Sequence, residues 1–227
     1  MPPKRGLDRK IEKKPEKIGK WPLLVSVFKE EGVEREFECE RKYVPKRLLS
    51  EEELNTFSQG QNREIEQCYV LAEDAEGSQH IFRLRRTVQE SEEGELLQIV
   101  RKTKVPDSEG KTEIQLKFPP TDSRALEFER LWKKHEWHAF RKTRYYIQHI
   151  LPNGHTCEIH YDIHHKGALE GRVRIEVEFT SDADAIYVHG YHGVQPVLPE
   201  WIGQDVTGDE RYSGKSIARR GLPPAAV

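Results

Sequence analysis

Two short acidic runs carry side chains whose types and spacing could do chemistry: Glu38-Cys39-Glu40-Arg41-Lys42 and Glu176-Val177-Glu178. In an extended strand, residues i, i+2 and i+4 share one face. Glu38, Glu40 and Lys42 therefore stand in a row with Glu36 behind them, while Phe37, Cys39, Arg41 and Tyr43 point the other way. Carboxylates held this close repel one another unless water or cations lie between them. Two such faces brought together would suit a hard divalent cation, which takes oxygen ligands.

Between the acidic runs lie basic faces, read by the same parity. Arg83 and Arg85 share one face, as do Lys102 and Lys104, and Lys142 and Arg144. Lys111, Glu113, Gln115 and Lys117 oppose Ile114, Leu116 and Phe118. Glu158, His160 and Asp162 share a face, and Arg172, Arg174, Glu176 and Glu178 oppose Val173, Ile175, Val177 and Phe179. An antiparallel sheet with one solvated face produces such alternation routinely. Here, however, charges outnumber neutral polar residues and are sorted by sign. A barrel with a charged lumen and helices over its apolar exterior accounts for both facts. Such a lumen could neutralise a polyanion with Lys and Arg while carboxylates hold counter-cations.

The elements that must position these residues are mostly strands. Val33–Val44, Ile81–Thr87, Leu96–Lys104, Lys111–Phe118 and Arg172–Thr180 read as strands. Arg141–Leu151 and His155–His164 form a hairpin around Pro152-Asn153-Gly154. A helix begins after Ser50, with Glu53 completing a capping box, and ends before Gly60. Thr121–His138 reads as the longest helix, with Ala125, Phe128, Leu131 and Trp132 at helical spacing. Ser181–Val188 reads as a short helix. The expected fold class is α+β: a closed antiparallel barrel, or tunnel, of about eight strands with flanking helices. Residues 1–31 read as a flexible basic arm, 32–220 as the barrel domain and 221–227 as a tail.

Acids and bases nearly cancel across the 227 residues, leaving a formal net charge of −2. A protein held to nucleic acid mainly by phosphate contacts usually has a basic surplus, so no specific nucleic-acid partner is expected. Cys39, Cys68 and Cys157 are widely separated and include no CxxC pair, which argues against a disulfide framework or zinc ribbon. No apolar run is long enough to span a bilayer. The expectation is a cytoplasmic protein with no membrane partner.

The ordered series of motifs resembles the CYTH, or triphosphate tunnel metalloenzyme, superfamily, which includes inorganic and thiamine triphosphatases and class IV adenylyl cyclases. The resemblance runs from about Glu36 to Ala218. It rests on the ExExK run Glu38–Lys42, then Gln67-Cys68-Tyr69, Arg83-Leu84-Arg85, Lys102/Lys104 and Lys111-Thr112-Glu113. Lys142-Thr143-Arg144, Glu158 with Asp162, and Glu176-Val177-Glu178 follow in the family's order. The tail Pro199–Ser213 is similar to the C-terminal element of bacterial single-domain members. Lys111 stands where the family often has Arg, and Gln115 where it often has Glu.

The resemblance implies a metal-dependent hydrolase of tripolyphosphate or of a triphosphate-bearing metabolite, with Mg²⁺ or Mn²⁺ as cofactor. Glu38, Glu40, Glu176 and Glu178, helped by Glu158 or Asp162, would hold the metal. Lys42, Arg83, Arg85, Lys102, Lys104, Lys111, Lys142 and Arg144 would grip the phosphates. Glu38, Glu40, Lys42, Glu176 and Glu178 form the implied catalytic set. The alternatives are a cyclase making cyclic AMP from ATP and a catalytically silent polyphosphate- or nucleotide-binding module. The implied partner is a small-molecule triphosphate or polyphosphate, and a homodimer is allowed. Gly214-Lys215-Ser216 lacks the glycine of a phosphate loop and is read as a turn. His160, His164 and His165 are read as lumen or surface residues, and Trp132 as core.

Overall fold

The computed structural model describes residues 24, 33–73, 78–88, 94–105, 110–136, 139–165, 169–190, 197–221 and 223. The arm expected over 1–31 lies outside the described residues apart from Leu24, as do Trp137 and most of the 221–227 tail. Nine strands are formed: β1 Glu34–Pro45, β2 Asn62–Glu73, β3 Gln79–Val88, β4 Glu95–Lys104, β5 Lys111–Phe118, β6 Phe140–Ile150, β7 Thr156–His164, β8 Val173–Phe179 and β9 Ile202–Asp205. They make one sheet in the order β5-β4-β3-β2-β6-β7-β8-β1-β9. A further pairing of β1 with β5 closes the first eight into an antiparallel barrel, and β9 is added beside β1. Closure leaves the barrel without free edges. The expected fold class is borne out.

Helices cover the apolar outside. α1 spans Glu51–Ser58, α2 Ala125–His135, α3 Asp182–Gly190 and α4 Gly214–Arg220, with a 3-10 turn at Glu210–Tyr212. Phe82, Leu84, Ile99, Leu116 and Phe118 pack beneath Phe128, Leu131 and Trp132 of α2. Phe128 meets Phe118 edge-on at 6.0 Å and stacks on Trp132 at 5.9 Å. Each such buried ring contributes about 2–3 kcal/mol of hydrophobic stabilisation. A second layer joins Cys39, Tyr43, Ile159, Tyr161, Ile175 and Val177 to Leu54 of α1 and Trp201. Among the described residues, no helix is long and apolar enough to cross a membrane.

Local chemistry explains where the elements begin. Ser50 Oγ accepts from the Glu53 N–H at 3.2 Å, and the Ser50 N–H donates to Glu53 at 2.9 Å, so the capping box is formed as read. α2 starts at Ala125 rather than Thr121, because 119–124 turn first and Asp122 accepts from the Arg124 N–H at 2.9 Å. β2 is hard to read by parity because Ile65, Gln67 and Tyr69 of its inward face carry no formal charge, while Arg63, on the same face opposite Arg144, stands near the strand's start. Gly214-Lys215-Ser216 is not a turn: it opens α4, N-capped by Ser213.

That helix matters for the lumen. Phe140, Val206, Tyr212 and Ile217 form an apolar cluster with Tyr69 that stops one end of the barrel. Gly214 permits the closest contact, since a Cβ there would lie 2.0 Å from the Tyr69 hydroxyl.

Candidate active site

A cavity of about 270 Å³ opens in the lumen, lined among others by Glu36, Glu38, Arg83, Arg85, Arg144, Glu158, His160, Glu176 and Glu178. Strand register sets its chemistry. Glu40 lies opposite Glu178, and Glu178 opposite Glu158, so three carboxylates cross β1, β8 and β7 at one level. One residue pair deeper, Lys42 faces Glu176 and Glu176 faces His160. Like charges set directly opposite one another destabilise a sheet. The acidic row therefore calls for positive charge.

Lysines supply part of it. Lys102 of β4 bonds the Glu38 carboxylate closely, lies 2.8 Å from Glu113 and 3.8 Å from Glu40. Lys42 and Lys111 reach Glu40 at 2.5 and 3.2 Å. Burial alone would raise the Glu40 carboxyl, but Lys102, Lys42 and Lys111 outweigh it and hold the group well below the usual carboxylate range. Glu38 behaves oppositely. Its burial, reinforced by Glu40, Glu113 and Glu178, exceeds the pull of Lys102 and raises it to about 7. Burial would lower the Lys102 ammonium, yet Glu40, Glu38 and Glu113 keep it above its ordinary value.

One donor oxygen each from Glu38, Glu40 and Glu178 lies within 4.8 Å of the others. An all-oxygen set that already attracts an ammonium fits a hard divalent cation. A second set with the same spacing is Glu158, His160 and Glu178. The His160 ring is pushed down by burial and by Arg144, but its contacts with Glu158 and Glu178 prevail and raise it.

Across the lumen stand the guanidinium groups. Arg83 bonds Glu113 at 2.9 Å. Arg85 faces the cavity with no hydrogen-bonded or ion-paired partner among the described residues, and its Nε is buried and unpaired. Burial next to Arg83 and Arg144 lowers it to about 10. An arginine so placed has unspent capacity for an anion.

The stopped end is built differently. Asp162, fully buried, receives Arg144 at 2.7 and 2.9 Å, Lys142 at 2.5 Å and Arg174 at 3.5 Å. Glu176 receives Arg144 in a short contact and Arg174 at 2.7 Å. Arg144 and Lys142 hold Asp162 far below the usual carboxylate range against the cost of burial. With guanidinium groups already on Asp162, burial beside Arg144 pushes the Lys142 ammonium down.

The structure thus sets Glu38, Glu178, Arg83, Arg85, Arg144, Glu158 and Glu176 on the cavity, and gathers Glu40, Lys42, Lys102 and Lys111 around Glu38 just behind its lining. It sets Lys142 and Asp162 together below the cavity, matched to each other and to Arg144. Lys104 ends β4 opposite Lys111, and its side chain lies outside the described residues. Glu113 and His160 join the site without having been singled out as site residues. Glu113 could have been found from its inward parity on β5. His160 could not be found by looking for His or Cys spacing, because its companions come from β7 and the neighbouring β8.

No family model matches the chain. Over 92 residues it is 36% identical to an inorganic triphosphatase of Nitrosomonas europaea, an overlap covering 40% of this chain and 52% of the relative. The chain thus spans about half the length of that relative. Among solved structures, a Bacillus halodurans protein named as a candidate adenylate cyclase has a TM-score of 0.40 and 16% identity, covering 69% of this chain and 87% of that one. A Hippeastrum protein, named as a candidate adenylyl cyclase with a dominant triphosphatase activity, has a TM-score of 0.39 and 12% identity, covering 83% and 97%. Likeness of that degree leaves the activity to be argued from this chain's own residues. The resemblance in motif order, to a superfamily that includes inorganic triphosphatases, is supported by a relative of that name.

Proposed function

We propose that the barrel is a divalent-metal-dependent hydrolase of a linear triphosphate, either tripolyphosphate or a metabolite carrying a triphosphate. The observation that carries this reading is the division of one cavity into a carboxylate wall and a guanidinium wall. Glu38 and Glu178 line one side, with Glu40 within 4.8 Å of both, and Arg83, Arg85 and Arg144 line the other. A polyanion with its counter-cations satisfies both walls at once. The similarity to an inorganic triphosphatase supports the choice of substrate class.

In this reading Glu38, Glu40 and Glu178 hold Mg²⁺ or Mn²⁺. A cation there supplies Lewis acidity and a nucleophilic water at neutral pH. Arg85 binds a phosphate as a two-toothed donor, which its unpaired guanidinium suits. Arg83 and Arg144 are held in place by Glu113 and Asp162, so their positive charge is oriented before substrate enters. Lys42, Lys102 and Lys111 neutralise charge that builds on the transferring and leaving oxygens. Water attacks the terminal phosphorus, the bond to the bridging oxygen breaks, and tripolyphosphate yields phosphate and pyrophosphate.

The test is to incubate the protein with tripolyphosphate, ATP and thiamine triphosphate under Mg²⁺ or Mn²⁺ and to measure phosphate. Divalent-dependent phosphate release is the expected result. Cyclic AMP with pyrophosphate as the products from ATP, or binding without turnover, would overturn it.

A further inference from the structure

We propose that Asp205, at the end of β9, and Thr207, just beyond it, are positioning residues for Lys42. They fix the stretch of main chain that aims the Lys42 ammonium into the lumen. The inference rests on the reading of the barrel as a hydrolase in which Lys42 neutralises charge on the reacting oxygens.

The need arises where one neighbour of β1 runs out. β5 begins at Lys111, opposite Glu38, so β1 has no β5 partner beyond that point. Buried main-chain groups must then be satisfied by something else. β9 takes up Tyr43 and Pro45. At Lys42 the partners are the two residues after β9. The Val206 N–H donates to the Lys42 carbonyl at 2.8 Å, and the Lys42 N–H donates to Thr207 Oγ1 at 2.9 Å. A side-chain hydroxyl thus stands where a neighbouring strand would offer a carbonyl.

That hydroxyl is itself oriented. Asp205 Oδ1 accepts from Thr207 Oγ1 at 2.5 Å and from the Thr207 N–H at 2.8 Å. The hydroxyl proton is therefore committed to Asp205, and a lone pair is left for Lys42. Asp205 Oδ2 accepts from Arg41 Nη1 at 3.1 Å, and Arg41 Nε donates to the Ala185 carbonyl of α3 at 3.2 Å. Arg41 is 5% exposed, on the outer face of β1 between Cys39 and Tyr43, where a buried charge is costly unless paired. The segment is also held on its other side. The Lys46 N–H donates to the Trp201 carbonyl at 2.9 Å, and a Cβ at Gly203 would lie 2.7 Å from the Val44 carbonyl oxygen.

Inside the barrel, Lys42 places Nζ 2.5 Å from Glu40 and stands opposite Glu176. A charge that stabilises a transition state works only from the right place, and a misplacement of about 1 Å can cost on the order of 100-fold. Arg83, Arg85 and Arg144 lie on other strands and still grip the substrate when Lys42 drifts. The loss should therefore fall on kcat rather than on KM.

The test compares Thr207→Val, Thr207→Ser and Asp205→Asn in the full chain. Each is assayed with tripolyphosphate under Mg²⁺, and the Lys42 ¹⁵Nζ resonance is read without substrate. Thr207→Val keeps the volume but removes the acceptor. Its kcat should fall about tenfold with KM within about twofold of wild type, and the Lys42 resonance should move. Thr207→Ser keeps the hydroxyl and should keep both the rate and the resonance. Asp205→Asn weakens the link to Arg41 and should fall between the two; it decides the matter if Thr207→Val does not fold. A folded Thr207→Val with wild-type kcat, a Thr207→Ser as slow as Thr207→Val, or a Lys42 resonance that no variant moves would overturn the proposal. If the wild-type chain leaves tripolyphosphate untouched, the hydrolase reading fails, and the Lys42 resonance alone decides the positioning.

Discussion

The two ends of the lumen use the same residue types to opposite effect. At the stopped end, opposite charges meet: Asp162 with Lys142, Arg144 and Arg174, and Glu176 with Arg144 and Arg174. At the open end the match is incomplete. Glu40, Glu178 and Glu158 align across three strands, with lysines reaching only Glu38 and Glu40 of the carboxylate wall among the described residues. Arg85, between two other guanidinium groups, has no ion-paired acid among the described residues. A matched buried network spends its electrostatic capacity inside the protein. An unmatched one keeps it available for a ligand. Asp162, Lys142 and Arg174 of the first kind of site are buried, with Arg174 donating to the carbonyl of Tyr212 in the apolar cap, whereas the second kind of site opens on the cavity.

Breaking the matched end should cost stability most. Asp162→Asn leaves three buried cations short of a counter-charge, and we expect a loss of about 3–5 kcal/mol in urea unfolding. A loss below about 1 kcal/mol would mean that this network does not hold the fold. Acid should act at the same end through His164. Burial, aided by Arg174 and Lys142, lowers its pKa from 6.5 to about 3. Between those values the unfolded chain binds the extra proton. The stability owed to neutral His164 is therefore full above pH 6.5 and declines as pH falls toward 3. One such proton contributes about 1.4 kcal/mol per pH unit, or about 2.7 kcal/mol between pH 6 and 4. His164→Gln should flatten the pH–stability curve over that range, and an unchanged slope would reassign the acid sensitivity.

At the unmatched end, substitutions should touch function and spare the fold. Glu178→Gln removes one acid from a row of like charges, so its unfolding midpoint should stay level or rise. Tripolyphosphate turnover should drop about 100-fold, equivalent to about 2.7 kcal/mol. Full turnover in this variant would detach the carboxylate wall from the chemistry. Arg85→Met should do less, raising KM about tenfold, or about 1.4 kcal/mol, with little change in kcat. If kcat falls instead and KM holds, Arg85 acts in the transition state rather than in binding.

Much of this contrast was legible in the sequence, but only across the strand and not along it. Parity told which side chains enter the lumen: Glu38, Arg83, Lys142 and Asp162 all do. It could not tell how deep each one lies. Depth follows from register between strands and from which end α4 stops. That is why Lys142 and Asp162, read beside the phosphate and metal ligands, lie together below the cavity. His160 shows a second limit, because its companions are set by the pairing of β7 with β8. β2 shows a third, since the middle of its inward face, Ile65, Gln67 and Tyr69, is uncharged and gives no alternation of charge to read.

The pairing of β1 has a consequence for how the molecule is made. Glu34–Glu38 pair with β5, but Cys39–Tyr43 pair with β8, which comes from the far end of the barrel sequence. The acid row of Glu40, Glu178 and Glu158 therefore does not exist until nearly the whole barrel has left the ribosome. Contacts so distant in sequence form late and slowly. A chain cut short before β8 would carry every basic strand and the ExExK run, yet no assembled carboxylate wall. On the proposed function, competence to gather cations is thus tied to completion of the polypeptide.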